Sequence, residues 1–385
     1  MRIGILKENK PAEGRVILTP NEVRDLTAGG HEVFVQTAAG TKAGYADKDY
    51  SSIGAEILPT LEEVYRRGTL IAKVKEFLPE EYAYLREDHI LFACIHPAAH
   101  REEVSALLAA NLIAFTAEDS HRCGSPNGEA AGKIGALMGA YHLLSPGGGR
   151  GQTVFGIGGA PAGKALVLGA GIAGRGATEV LSSLGAQVIL MDISIGVLRE
   201  AEYQFPGNVT TMISSRGTIL EVLPEVDLVV NCVKWPKHRK DHLINKADLV
   251  LMKPGSVIVD VSADVGGAIE TYRPTSHFDP TYVVDGIVHY GVDNIPGAAS
   301  HTVSQAYAAS IINHVKSIAD LGVRGACIRD GYLRRSLCVY KGLLTHEETS
   351  VIQGREMVRV EKALGLESME SLDWAPKATS TEASS

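Results

Sequence analysis

No stretch of this chain approaches the roughly 18 consecutive apolar residues that a membrane span requires, so no membrane partner is expected. Positive charge is also short: 37 Lys and Arg against 45 Asp and Glu leave a formal charge of −8. A nucleic-acid binder needs a basic face to displace counterions, and none is offered. The five cysteines (Cys94, Cys123, Cys232, Cys327 and Cys338) form no CxxC pair. They read as reduced thiols, not as a disulfide frame or a zinc site, and no metal is expected. The opening Met1-Arg2-Ile3-Gly4-Ile5-Leu6-Lys7-Glu8 meets charge too early for a secretory signal. No internal repeat is visible. These absences point to a soluble protein of the cytoplasm.

What is present is length for two domains, 385 residues, and a regular alternation of apolar strands with amphipathic helices. Gly4–Leu6, Glu32–Gln36, Leu70–Val74 and Ile90–Ile95 read as strands, the last two continuous enough for a buried parallel sheet. Thr19-Pro20-Asn21-Glu22 reads as a helix start with Thr19 as N-cap and Glu22 closing a capping box. A helical stretch from about Gly128 to Leu144 leads into the Gly-rich segment Pro146–Gly163, the clearest linker-like composition in the chain. A second series follows, with strands at Lys164–Leu168, Gln187–Met191, Leu228–Val230 and Ser256–Asp260, then a long helix from about Thr302 to Ala319. The expected fold is α/β, with two Rossmann-like, doubly wound parallel-sheet domains and a cleft between them. The expected division is 1–127, completed by 300–375, for substrate and 128–299 for a dinucleotide. Residues 376–385, rich in Ala, Ser and Thr, are expected to be a disordered tail.

Gly169-Ala170-Gly171-Ile172-Ala173-Gly174 is a GxGxxG between a strand and a helix. Gly169 permits the tight turn, Gly171 lets backbone approach a pyrophosphate, and Gly174 lets helix and strand pack closely. The helix that opens at Ile172 and Ala173 offers free N–H groups to phosphate. The next strand ends at Met191-Asp192, an acid placed to hold a ribose diol and to repel a 2′-phosphate. The expected cofactor is therefore NAD, with Arg199 as the residue that speaks for NADP. A packing turn would explain the glycines but not Asp192.

Hydride transfer to or from an amino acid further needs a cation for the carboxylate, a polarising group and an acid/base. Arg15, Lys73 or Lys75, and His96 stand in loops or at strand ends, where α/β sheets bind ligands. Each taken alone is as readily a solvated charge or a structural histidine.

Taken in order, these segments resemble the alanine dehydrogenase and pyridine nucleotide transhydrogenase family. The similarity runs from Arg2-Ile3-Gly4-Ile5-Leu6-Lys7-Glu8 through Arg15-Val16-Ile17-Leu18-Thr19-Pro20, Gly30-His31-Glu32-Val33 and Lys73-Val74-Lys75-Glu76. It continues through Leu78-Pro79-Glu80-Glu81-Tyr82, the His96 segment, Met252-Lys253-Pro254-Gly255-Ser256-Val257-Ile258-Val259-Asp260-Val261 and Arg273-Pro274-Thr275. It covers residues 1 to about 345. The resemblance implies that Arg15 binds the substrate carboxylate and Lys75 hydrogen-bonds carboxylate and carbonyl oxygen or imine. It makes His96 the acid/base, Asp264 the acid that orients water or ammonia beside the nicotinamide, and Asn294 part of the loop closing on the nicotinamide. Lys75 needs an unpaired or buried setting to give up a proton near neutrality. Oligomers, hexamers or dimers, are implied as well.

The chain departs from the family pattern at the substrate and nicotinamide sites. Cys94 stands where a Tyr is usual, and Asn127-Gly128 precede Glu129 in place of Met-Ser. Phe115-Thr116-Ala117-Glu118-Asp119 replaces an aromatic-Glu pair, and Val233-Lys234-Trp235-Pro236-Lys237-His238-Arg239 replaces an apolar-Pro-Gly stretch. The first two changes point to a substrate larger or more polar than alanine; the alternative is compensation, with bulk restored by Phe92 or Trp235. The leading reading is an NAD-dependent amino-acid dehydrogenase acting on a small amino acid, its 2-oxo acid and ammonia. An opine- or saccharopine-like reductase, and a transhydrogenase-like NAD-binding module, are the competing readings.

Overall fold

Parallel strands buried on both faces need crossover helices, and the computed structural model shows that arrangement twice. It describes residues 1–205, 207–236, 239–263 and 265–367. The chain divides into Met1–Ser125 with the segment from Ala299 onward, unit 1, and Pro126–Ala298, unit 2. The tail expected at 376–385 lies outside the described residues.

Unit 1 holds strands β1 Arg2–Ile5, β2 Glu32–Gln36, β3 Glu56–Leu58, β4 Leu70–Ala72, β5 Ile90–Ala93 and β6 Ile113–Thr116. They pair in parallel in the order β3-β2-β1-β4-β5-β6, the doubly wound order with its switch point between β1 and β4. Leu337–Tyr340 adds an antiparallel strand beside β6, and Leu343–Leu344 follows it. Helix α1, Pro20–Ala28, starts as the sequence predicts: Thr19 is the N-cap, Glu22 completes the capping box, and Pro20 sits in the first turn. Such a cap is worth about 1 kcal/mol. The helix Ser300–Arg329 is longer than expected and breaks from helical geometry at Gly322, where φ is 68°. Its Tyr307, Ala308, Ile311, Val315 and Ile318, at helical spacing, join one core with Ile3, Ile5, Leu70, Ala72 and Phe92 of the sheet.

Unit 2 repeats the plan with β7 Lys164–Leu168, β8 Gln187–Asp192, β9 Val209–Ile213, β10 Leu228–Asn231, β11 Val257–Asp260, β12 Thr281–Val284 and β13 Ile287–Tyr290. The parallel order is β9-β8-β7-β10-β11-β13, with β12 antiparallel at the edge. β12 and β13 are joined by Asp285-Gly286, both at positive φ (49° and 84°), as a two-residue hairpin turn demands. The Gly-rich Pro146–Gly163 segment is not a linker between units but lies inside unit 2. Its backbone is tied down, with Gly151 and Gln152 donating to Leu143 O and Arg150 to Gly255 O.

Helices α2, Pro126–His142, and α3, Ile172–Ser183, pack closely. A Cβ at Gly132 would fall 1.8 Å from Ala173 O, and one at Gly176 2.9 Å from Glu129 O. The glycines at 128, 132, 135 and 139 recur at helical spacing, so this helix gives up propensity for contact. Among the described residues no helix is long and apolar enough to cross a membrane.

Candidate active site

Adjacent parallel strands lie about 4.8 Å apart, so the loops leaving their C-terminal ends are brought together without further design. In unit 1 the loops after β1, β4, β5 and β6 carry Arg15, Lys75, His96 and Glu118, and these four strands are neighbours in that sheet.

Arg15 is buried and paired with Glu13: Nε donates to Oε1 at 2.9 Å and Nη2 to Oε2 at 2.6 Å. Burial opposes its charge, but Glu13 more than restores it and holds the guanidinium pKa above its ordinary value. The two lysines of Lys73-Val74-Lys75 separate cleanly. Lys73 Nζ is buried and donates to Asn9 Oδ1 at 2.9 Å and Glu81 Oε2 at 2.8 Å. Lys75 is half-buried, and its ammonium has no hydrogen-bond or ion-pair partner among the described residues. Its backbone N–H points at Glu8 Oε1 at 3.4 Å, and Val74 N–H donates to the same oxygen at 2.5 Å. Burial raises the Glu8 carboxyl to about 7, with Lys73 opposing and Glu13 reinforcing. In the sequence Glu8 is quoted without a role, and Glu13 is not singled out.

His96 takes φ of 48°, the left-handed region that a non-glycine residue enters at a cost. Glu118 secures it: Oε1 accepts the His96 N–H at 2.7 Å and lies 3.2 Å from Nδ1. Nδ1 is thus engaged, while Nε2 has no hydrogen-bond partner among the described residues. Sequence reasoning names Glu118 only as a departure; its position after the next parallel strand is the signal that could have found this partner of His96. Cys94 is buried, with Sγ 2.9 Å from the Tyr307 hydroxyl. The bulk beside it comes from Tyr307, a residue the sequence reading does not single out. Phe92 instead sits in the sheet core with its ring 6.3 Å from that of Phe115. Trp235 folds onto its own loop, Nε1 donating to Asp241 O at 2.8 Å under the Arg239 guanidinium.

In unit 2 the loop after β7 carries the glycine motif, and its three glycines stand there for three different reasons. Gly169 has φ of 90°. A Cβ at Gly174 would fall 1.7 Å from Gly169 O, whereas one at Gly171 would meet nothing within 4 Å. The protein's own packing therefore does not demand Gly171; space is kept there, as close approach of a pyrophosphate requires. Gly171 is the N-cap of α3 and makes no side-chain cap, so the N–H groups of the first turn, Ile172 and Ala173 among them, are left for a ligand. Asp192 ends β8 and accepts Ala170 N–H and Ser194 N–H, each at 2.8 Å, which locks it against the glycine loop. Arg199 is exposed. Val233 follows β10, and its Cγ2 would lie 3.1 Å from a Cβ on Gly169. Asn294 is buried beyond β13, its carbonyl accepting from His277 Nε2 at 2.8 Å. Asn127 lies in the first turn of α2 and so belongs to unit 2, because the helix begins at Pro126. Asp264 lies outside the described residues.

Residues 4–125 match the family described as alanine dehydrogenase/PNT, N-terminal domain, and residues 135–347 match alanine dehydrogenase/PNT, C-terminal domain. An alanine dehydrogenase of Mycolicibacterium smegmatis is 37 % identical over 353 residues, 90 % of this chain and 95 % of that protein. One from Bacillus subtilis is 37 % identical over 374 residues, 96 % and 99 % of the two chains. A solved L-alanine dehydrogenase superposes with a TM-score of 0.85 at 38 % identity, covering 92 % of this chain and 99 % of the other. A transhydrogenase of Sinorhizobium meliloti, at 23 % identity and a TM-score of 0.74 over 90 % and 99 %, shares the fold. The glycine loop, the locked acid after β8 and the basic loops of unit 1 thus occur in a chain that belongs to the alanine dehydrogenase/PNT family.

Proposed function

We propose that this chain interconverts a small L-amino acid with its 2-oxo acid and ammonia, in the manner of an alanine dehydrogenase. The chain is an NAD-dependent oxidoreductase acting on a CH–NH2 group. The observation that carries the substrate reading is Lys75: half-buried, without a hydrogen-bond or ion-pair partner among the described residues, and just past the end of β4, which lies between the strands that bear Arg15 and His96. A cation left unpaired in such a place is available for an anionic ligand.

The roles are assigned from this geometry and, for Asp264, Val233 and Asn294, from the family resemblance. Arg15, oriented by Glu13, binds the carboxylate. Lys75 hydrogen-bonds the carboxylate and the carbonyl oxygen or imine. His96, with Nδ1 against Glu118, presents Nε2 for proton transfer, and Asp264 orients water or ammonia. NAD, held by the Gly169–Gly174 loop and Asp192, supplies the hydride acceptor at its nicotinamide ring. Val233 and Asn294 are assigned to that ring. Alanine and pyruvate are the substrates favoured by the names of the relatives; residence in the cytoplasm and a homo-oligomer, hexamer or dimer, belong to the same reading.

The test mixes the protein with NADH, ammonium and a series of 2-oxo acids and follows loss of NADH absorbance. Turnover with ammonium is expected. Turnover only when an amino acid replaces ammonium would make it an opine-type reductase, and NADH binding without any turnover would make it a hydride-carrying module.

A further inference from the structure

A buried pair beside the proposed carboxylate and acid–base residues takes no part in that reaction. Cys94 lies two residues before His96 and is 3 % exposed, and its thiol contacts the hydroxyl of Tyr307, which is wholly buried. The long helix Ser300–Arg329 delivers this phenol. One turn earlier its Ser304 hydroxyl accepts the Val16 N–H at 3.0 Å, next to Arg15, and the His121 ring stacks on Tyr307 at 5.6 Å. Tyr307 is therefore fixed by Cys94 and His121, on a helix whose preceding turn Ser304 ties to the Arg15 loop. The charges of Arg15 and Glu118 both act on the pair. Burial pushes the Cys94 thiol up to about 12 and the Tyr307 phenol well above its usual value. Both are neutral at pH 7, so thiolate chemistry is not what the pair offers. Its contribution is volume and the hydrogen bond between thiol and phenol.

Where the family pattern has a tyrosine this chain has Cys94, a change that by itself deepens the substrate end of the site. We propose that Tyr307 is the specificity-determining residue of this chain, its ring backing Cys94 and closing the side-chain end of the 2-oxo acid site. The site consequently takes a short side chain, against the larger substrate that Cys94 alone would suggest. This rests on the reading that Arg15, Lys75 and His96 hold a 2-oxo acid.

The test compares kcat/KM for pyruvate, 2-oxobutanoate and 2-oxopentanoate with ammonium and NADH in wild type, Tyr307→Leu, Tyr307→Phe and Cys94→Tyr/Tyr307→Leu. One methylene in an apolar pocket is worth about 10- to 200-fold in discrimination. Wild type is expected to favour pyruvate. Tyr307→Leu should cut the pyruvate to 2-oxopentanoate ratio by about 10-fold or more, whereas Tyr307→Phe, which keeps the ring, should hold it. The double variant should regain the wild-type ratio, since the ring returns from the opposite side. NADH binding, by its fluorescence, reports folding of each variant. A Tyr307→Leu enzyme that binds NADH and keeps the wild-type ratio overturns the proposal. If that variant fails to fold, the double variant decides: a folded double variant favouring the longer acids also overturns it. Wild type inactive with every acid while binding NADH fells the functional reading itself, and the specificity assignment with it.

Discussion

Lys73 and Lys75 are two residues apart, chemically identical, and put to opposite uses. Strand alternation would put residues two apart on the same face. But β4 ends at Ala72 and the chain bends at Val74 and Lys75, so Lys73 goes inward to Glu81 while Lys75 stays half-exposed. Lys73→Met should cost about 3–5 kcal/mol, because it strands the Glu81 carboxylate in the core. Lys75→Met should leave the melting temperature within about 2 °C of wild type, since no partner is lost, and should reduce kcat/KM by about 100-fold or more. A thermal scan beside a steady-state assay separates the two. Glu8 carries the clearest pH signature. Its folded pKa of about 7 stands above the ordinary 4.5. Below 4.5 both states hold the proton; from there to 7 only the unfolded chain releases it, so stability falls as pH rises and the loss is complete above 7. The contribution is on the order of 3 kcal/mol. Glu8→Gln should flatten that slope in urea unfolding between pH 4.5 and 8, and an identical slope in both proteins would show that Glu8 does not titrate in this window. Residue type and motif order were enough to nominate Arg15, Lys75 and His96. Glu118 and Tyr307 were not legible, because each matters only through a side chain that another strand or helix brings to it.

At the scale of elements, the glycine loop and the helix pair behind it make a sharp contrast. Gly171→Ala meets open space, so the protein should fold with an unchanged melting temperature yet bind NADH at least 10-fold more weakly. Gly132→Ala drives a methyl into Ala173 O and should cost about 1–3 kcal/mol, weakening NADH by displacing the loop that holds it. Calorimetry of NADH binding with a melting curve for each distinguishes them; equal loss of stability in both would contradict the assignment of Gly171 to the ligand. The long strands and the capped helix α1 were legible because local chemistry suffices for them. β3 is three residues long and β9 an edge strand with little burial. The hairpin β12–β13 had its Asp285-Gly286 turn in plain view and was still missed, its strands being only four residues each. The Gly-rich Pro146–Gly163 segment has linker-like composition yet lies inside the 128–299 unit that the sequence proposes, for a physical reason. Composition marks a backbone able to turn, and here the turns are used to close one unit, not to join two.

For the whole molecule, a ligand that binds only the folded state raises stability by mass action. NADH at 100 times its Kd should add about 2.7 kcal/mol, and so raise the melting temperature by roughly 5 °C. NADPH at the same concentration should add little, because Asp192 opposes the extra phosphate. Equal shifts from both would shift the weight to Arg199 and overturn the NAD preference. The sequence by itself determined the class of fold and the dinucleotide loop, since apolar periodicity and three glycines before a helix are local facts with few structural solutions. It also determined the order of the basic residues along the chain. Only the tertiary structure decided which lysine stays unpaired, which acid steadies His96, and that a tyrosine more than two hundred residues away fills the space beside Cys94. Those outcomes depend on which strands become neighbours and on where the C-terminal helix lands, and burial and partners exist only once the sheet has closed.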